Sequence, residues 1–140
     1  MENVKASIDF KTYIIDEIKF NLKSIDKKQS DIDIHFNGNT EIIKDKNTAI
    51  ISLKCVMGEK SDDSPFFLSI NMKGFFEYQS SLEDRQLEKI LSTNGTAILF
   101  PYLRSIITTI TGNIGISPII LPTLNINKLL DNKNTPNQKI

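Results

Sequence analysis

The 140-residue chain has one cysteine and one histidine, and its 17 Lys and Arg are balanced by 17 Asp and Glu. Each scarcity removes a class of protein. A single thiol, Cys55, cannot form an internal disulfide. A lone histidine, His35, cannot by itself assemble the roughly four ligands of a zinc site. A net charge of zero leaves no bulk field to draw in nucleic acid or an anionic membrane. Glycine is sparse, and no phosphate-cradling pattern exists: Gly112 and Gly115 do not make a dinucleotide fingerprint, and no strand leads directly into them. The opening MENVKASIDFK is charged throughout and lacks an apolar h-region, so no signal peptide is expected and a cytoplasmic protein is. No repeat is visible, and the only biased segment is the polar tail DNKNTPNQKI, expected to be frayed.

Charge itself is missing from one long stretch. Between Arg104 and Lys128 no side chain is charged. A membrane span needs about 20 predominantly apolar residues. Here Asn113, Asn125, several threonines and two prolines interrupt the apolar positions, so direct membrane insertion is rejected. The alternative is a core helix followed by an irregular apolar segment.

The rest of the chain divides by period. In FKTYIIDEIKFNL, residues 10–22, Phe10, Ile14, Ile18, Phe20 and Leu22 fall on one face at period two, which predicts a strand. DIDIHFNGN repeats the alternation with Ile32, Ile34 and Phe36, after which Asn37-Gly38-Asn39 predicts a turn or a bulge. A third strand follows a turn at 45–47, with Ile51, Leu53, Cys55 and Met57 on one face. A fourth, FFLSINMKGFFEY, places Phe66, Leu68, Ile70, Met72, Phe76 and Tyr78 together. The period then lengthens. SSLEDRQLEKILSTNG predicts a helix capped by Ser80 or Ser81 and ended by Asn94-Gly95. A second helix is expected to begin near Pro101, which suits a first helical turn, and to stop at Gly112-Asn113. Leu99, Leu103, Ile106, Ile107 and Ile110 give it one apolar stripe, and its threonines an uncharged opposite face that suits contact with another subunit. Pro118 and Pro122 hold the next segment extended, and a short helix with Ile126, Leu129 and Leu130 closes the pattern. Four strands followed by helices define an antiparallel α+β domain over 1–132, with 133–140 as tail.

Chemistry is thin. His35 is expected to face solvent on its strand, and Cys55 to be a buried structural thiol, because no base or basic cluster accompanies it. Asp31 with Asp33, or Asp62 with Asp63, could hold a cation, but solvated edge charges are the default. Lys23, Lys27 and Lys28 lack interleaved aromatics and read as a solvated loop. Neither an enzyme nor a metal or cofactor site emerges. What is in excess is apolar surface. Phe67, Phe75, Ile15, Tyr13 and the proline-containing segment exceed what one small core can cover. That surplus fits a second buried face, a homo-oligomer interface, or a groove that accepts apolar segments of other chains.

At this point motifs matter. ILFPYLR at 98–104, a helix, and SPIILPTLNI at 117–126 together resemble the paired signature of the SecB export chaperones. YIIDEIKF and FFLSINMKGFFEY fit in order and spacing, so the resemblance spans nearly the whole chain. It implies a four-stranded antiparallel sheet followed by a long helix, a proline-containing apolar loop and a short C-terminal helix. It also implies a homotetramer built as a dimer of dimers, with Tyr102, Ile106, Thr109 and Ile110 at the subunit interface. The implied activity is ATP-independent holding of unfolded client polypeptides in apolar grooves. Carried over by position, Ile14, Ile32, Ile34, Phe36, Ile119, Leu121, Leu124 and Ile126 would line that groove. Glu17 and Phe67 would face the SecA motor. Asn21 and Ser69, which match acidic sheet positions of the family, are not acids, and the tail is not acidic. The implied partner is therefore SecA or, as for relatives in toxin–antitoxin systems, an antitoxin. A homo-oligomeric structural or regulatory protein without a client groove is the alternative.

Overall fold

The structure is a computed structural model that describes residues 6–24, 32–58, 64–122 and 138–139. Four long strands carry the alternating sequences: β1 (Ala6–Leu22), β2 (Asp33–Ile43), β3 (Thr48–Met57) and β4 (Phe66–Ser80). One helix follows, α1 (Asp84–Asn113), and a two-residue strand, β5 (Gln138–Lys139), comes from the polar tail. All pairings are antiparallel, in the order β1-β4-β3-β2-β5. A 3-10 turn at Lys44–Lys46, with Asn47 in the left-handed region at φ 50°, closes the β2–β3 hairpin.

Residues directly opposite in a sheet share a face, so the register defines cross-strand rows. On the helix-bearing face these are Phe10–Phe76–Ala49–Ile42, Tyr13–Gly74–Ile51–Thr40, Ile15–Met72–Leu53–Gly38, Ile18–Ile70–Cys55–Phe36 and Phe20–Leu68–Met57–Ile34. The middle strands of these rows are buried, and with Leu87, Leu91, Leu99, Phe100, Leu103 and Ile107 of α1 they form one core.

Three local expectations are corrected. The alternation of β1 is broken by register shifts between Phe10 and Thr12 and between Ile15 and Glu17. Each extra residue reverses which parity faces the core. Phe10, Ile18, Phe20 and Leu22 therefore share the helix-bearing face, whereas Ile14, opposite Lys73, lies on the outer one. Asn37-Gly38-Asn39 is neither turn nor bulge: β2 pairs with β3 residue for residue straight through it.

The third correction concerns the helix. Asn94-Gly95 does not end it, and α1 runs unbroken for 30 residues with Pro101 inside. Gly95 is a packing glycine: a β-carbon there would lie 2.0 Å from Cδ1 of Ile51. Gly74 gives the reciprocal clearance, 2.6 Å from Cδ2 of Leu99. Small residues on both elements let helix and sheet approach closely. Pro101 is exposed and has no amide hydrogen, so it cannot donate to the carbonyl of Ala97, which also lies on the exposed side of the helix. The first helical residue is Asp84, not a serine-capped Leu82, and Ser80 Oγ accepts instead from the Leu82 amide at 2.9 Å. Asp84 also pairs with Lys44, tying the first turn of the helix to the β2–β3 hairpin. The helix stops at Asn113 as its Gly112-Asn113 signal requires.

Candidate functional site

The site begins where α1 fails to cover the sheet. Along the β1 edge the rows reach Ile18 and Leu22, each 49% exposed, while their neighbours Ile70 and Phe66 are buried. Phe20 lies between them, its ring 5.7 Å from that of Phe66. Nearer the middle of α1, Tyr102 stacks over β1, with ring centroids 5.0 Å from Tyr13 and 5.7 Å from Phe10. At the opposite edge Phe36 meets Phe100 edge-on at 5.8 Å. An apolar border of aromatic and branched side chains thus flanks the helix on both sides.

Next comes the segment after α1. Residues 114–122 have no regular structure, yet Ile119 and Leu121 are buried while Ile120 is 64% exposed. Two helix threonines fix it. Thr108 Oγ1 donates to the Ile119 carbonyl at 2.8 Å, and the Ile119 amide donates to Thr111 Oγ1 at 2.8 Å. Thr111 passes its own proton back to the Ile107 carbonyl, 2.8 Å away. Part of the threonine-rich helix face therefore binds its own chain, a role for Thr108 and Thr111 that no sequence motif announces. The signal available was that a charge-free helix face can also be covered from within. Burying Ile119 and Leu121 contributes about 3–6 kcal/mol. Fixing the backbone of the nine residues 114–122 costs about 9–18 kcal/mol. Burial of two side chains does not offset that alone, so the strap's hydrogen bonds matter to the closed position.

The expected groove residues divide accordingly. Ile32, Ile34, Ile119 and Leu121 all belong to the buried core, and Phe36 packs against it. The first four are covered, not open. Ile14, 46% exposed, is on the other side of the sheet and cannot line the same surface. Leu124 and Ile126 lie outside the described residues, as does the expected C-terminal helix. Of the expected interface residues, Tyr102 and Thr109 are exposed and Ile106 and Ile110 half-buried. With Ser105 they form a charge-free strip along α1.

The outer face carries Glu17, opposite Asn71, and Phe67, opposite Asn21. Its charges are mixed. Lys19 lies 3.8 Å from Glu17, and Lys73 lies 3.4 Å from Asp16, which also accepts from Asn71 at 2.8 Å. Ser69 on this face is buried. His35 is not solvent-facing: its side chain is largely covered, and Nε2 sits 3.2 Å from Oδ2 of Asp33. Asp33 is not a solvated edge charge either, being 2% exposed. Both are held by the paired start of β2, where the Asp33 carbonyl accepts from Gly58 and β5 pairs alongside. Cys55 is buried and free, and loss of solvation pushes its thiol well above the ordinary range.

Among the described residues no three His, Cys, Asp or Glu side chains converge as a metal would require. No helix among them is long and apolar enough to cross a membrane. A depression at the far end of the sheet is polar, lined by Ser7, Asp9, Lys46, Asn47 and Glu77.

An antiparallel sheet backed by one long helix is the architecture of the SecB-like fold. The family model described as preprotein translocase subunit SecB matches residues 8–137. The chain belongs to the SecB family, and that membership supports a chaperone role. It is 38% identical over 133 residues to an uncharacterized protein of Methanocaldococcus jannaschii, covering 91% of this chain and 85% of that one. With the protein-export protein SecB of Saccharophagus degradans it shares 33% identity over 79 residues, 56% of this chain and 45% of that protein. With its counterpart in Neorickettsia sennetsu it shares 29% over 111 residues, 73% and 67% of the two. Among solved structures, its fold is similar to that of a Mycobacterium tuberculosis SecB-like chaperone in complex with a peptide from an antitoxin. The TM-score is 0.70 at 17% identity, over 84% of this chain and 91% of that one.

Proposed function

We propose that this chain is an ATP-independent holdase that binds unfolded polypeptides at the apolar surface flanking α1, working as a homotetramer arranged as a dimer of dimers. The observation that carries the reading is the apolar surface a single chain leaves uncovered, in particular Ile18 and Leu22 beside a fully buried core. Each client side chain buried there contributes about 1.5–3 kcal/mol without directional demands, so binding tolerates client sequence. Several such contacts on one client act at high effective concentration, which gives strong holding from individually weak patches. Binding the unfolded state by mass action needs no nucleotide. The proposed site is the cytoplasm. Glu17 and Phe67 are the proposed contacts for SecA, and an antitoxin is the second candidate partner. The antitoxin peptide held by the structurally similar chaperone supports a client of that class.

The test is suppression of aggregation of a denatured model substrate. Ile18→Asp with Leu22→Asp should reduce holding several-fold with little loss of stability, because an exposed edge accepts charge but an apolar client does not. Ile34→Asp should instead unfold the chain, since Ile34 is core. Full holding by the double variant would move the client site elsewhere. A second reading, an oligomer without a client groove, is favoured by the burial of Ile32, Ile34, Ile119 and Leu121. It would prevail if the parent suppresses no aggregation at all.

A further inference from the structure

Ile119 is gripped at both of its backbone groups by side chains of α1, and we infer that this clasp holds residues 114–122 shut as a latch over apolar surface that, once uncovered, extends the exposed client site of Ile18 and Leu22. The inference rests on the client-holding reading above. The grip is made by Thr108 on the carbonyl and Thr111 on the amide, each at 2.8 Å. Thr111 is fully buried, and its hydroxyl is satisfied in both directions, accepting from Ile119 and donating to Ile107. The clasp is therefore a formed structure and not a surface contact.

The root of the segment is built to turn. Gly115 adopts φ +91°, a conformation that other residues rarely take, and nothing lies within 4 Å of the position a β-carbon would occupy. Beyond it, Pro118 and Pro122 restrict the backbone, so the segment swings more readily as a piece than it frays. Ile119 and Leu121 face inward and Ile120 outward, as period two dictates. When shut, the latch buries Ile119 and Leu121 as part of the one apolar core. A client offers that core the same kind of burial but cannot reproduce the two threonine bonds. Those bonds set the fraction of time the site stands open, and apparent client affinity scales with that fraction. Thr108 and Thr111 are positioning residues in this scheme. They touch the strap and not the client.

The experiment uses the full chain and two readouts. Hydrogen exchange at the Ile119 amide reports the clasp, and binding of a fluorescent, reduced and alkylated unfolded protein reports the site. Thr111→Val should speed Ile119 exchange about tenfold, the size of one hydrogen bond, and tighten client binding by a similar factor. Thr108→Val should act in the same direction through the carbonyl, and Thr111→Ser, which keeps the hydroxyl, should restore both parent values. Unchanged exchange in the valine variants would show that the clasp does not hold in solution. Faster exchange with unchanged or weaker client binding would show that the strap supports the site instead of blocking it. Either result overturns the latch. If the parent binds no unfolded probe although its Ile119 amide is protected, the holdase reading fails, and the latch falls as a client gate with it.

Discussion

Gly95 and Ile51 touch so closely that a β-carbon on Gly95 would sit 2.0 Å from Cδ1 of Ile51 and could enter only by displacing that methyl within the core. Alanine is the better helix former by about 1 kcal/mol. Overpacking a full core costs about 1–3 kcal/mol, so the clash outweighs propensity. Gly95→Ala should lower the urea midpoint, and adding Ile51→Val, which removes the obstructing Cδ1, should recover most of the loss. A double-mutant cycle showing no coupling between the two positions would mean that α1 lifts off the sheet freely.

Cys55 should behave as a core side chain with almost no thiolate. Burial raises its pKa, so the native protein at mildly alkaline pH should react with a thiol reagent only as fast as it unfolds. Urea should increase the rate by orders of magnitude. Rapid labelling of the native protein would show that the β3 core opens locally.

Along α1, the strip of Tyr102, Ile106, Thr109 and Ile110 is expected to join subunits. Light scattering should give four chain masses, a closed symmetric assembly. Thr109→Asp with Ile106→Asp should lower that to two, because a like charge from each partner would meet across the strip. Thr111→Val should leave the mass unchanged, as Thr111 is committed within its own chain. An unchanged mass in the double aspartate variant would place the interface elsewhere.

On the outer face, complementary charge governs on-rate and partner choice more than affinity. Glu17 has Lys19 beside it, and Asn21 is neutral, so SecA should bind weakly and with a shallow salt dependence. Lys19→Glu with Asn21→Glu should strengthen binding at low salt and steepen that dependence. Ser69→Glu is unsuitable as a gain-of-charge control because Ser69 is buried. Tight, steeply salt-dependent binding by the natural chain would assign it to an export motor instead of another partner.

The sheet was legible because three of its strands alternate cleanly. Leu53, Leu68 and Ile70, for example, all lie on the face their parity assigned. β1 was less so, since Tyr13, Ile14 and Ile15 are apolar in succession and period two does not reveal where a bulge resets it. Gly95 read as a stop because glycine near the end of an apolar stripe usually is one. Only the approach of Ile51, 44 positions earlier in the chain, shows that it is a clearance. At the candidate site Ile32, Ile34, Phe36, Ile119 and Leu121 read as apolar, and the structure has them in or packed against the core, but a sequence does not state whether an apolar group is an open groove or a filled one. That difference rests on two threonine hydroxyls whose partner lies 8 or 11 residues away.

The strand order has a consequence for biosynthesis. β1 is made first, yet among the described residues its strand neighbour is β4: Leu22 pairs with Phe66 and Ala6 with Ser80. After Leu22 the ribosome must therefore deliver 44 further residues before β1 meets its first partner, Phe66, and 58 before β4 is complete at Ser80. At about 5–20 residues per second that is a delay of several seconds. During it β2, β3 and β4 can zip as successive local neighbours, while an unpaired 17-residue strand rich in isoleucine and phenylalanine waits outside. A protein of the chaperone class thus passes through a nascent stage with the same liability it is proposed to manage in others. Charged residues are spaced along β1 from Asp9 to Lys19, the pattern by which sequences oppose aggregation of an apolar strand.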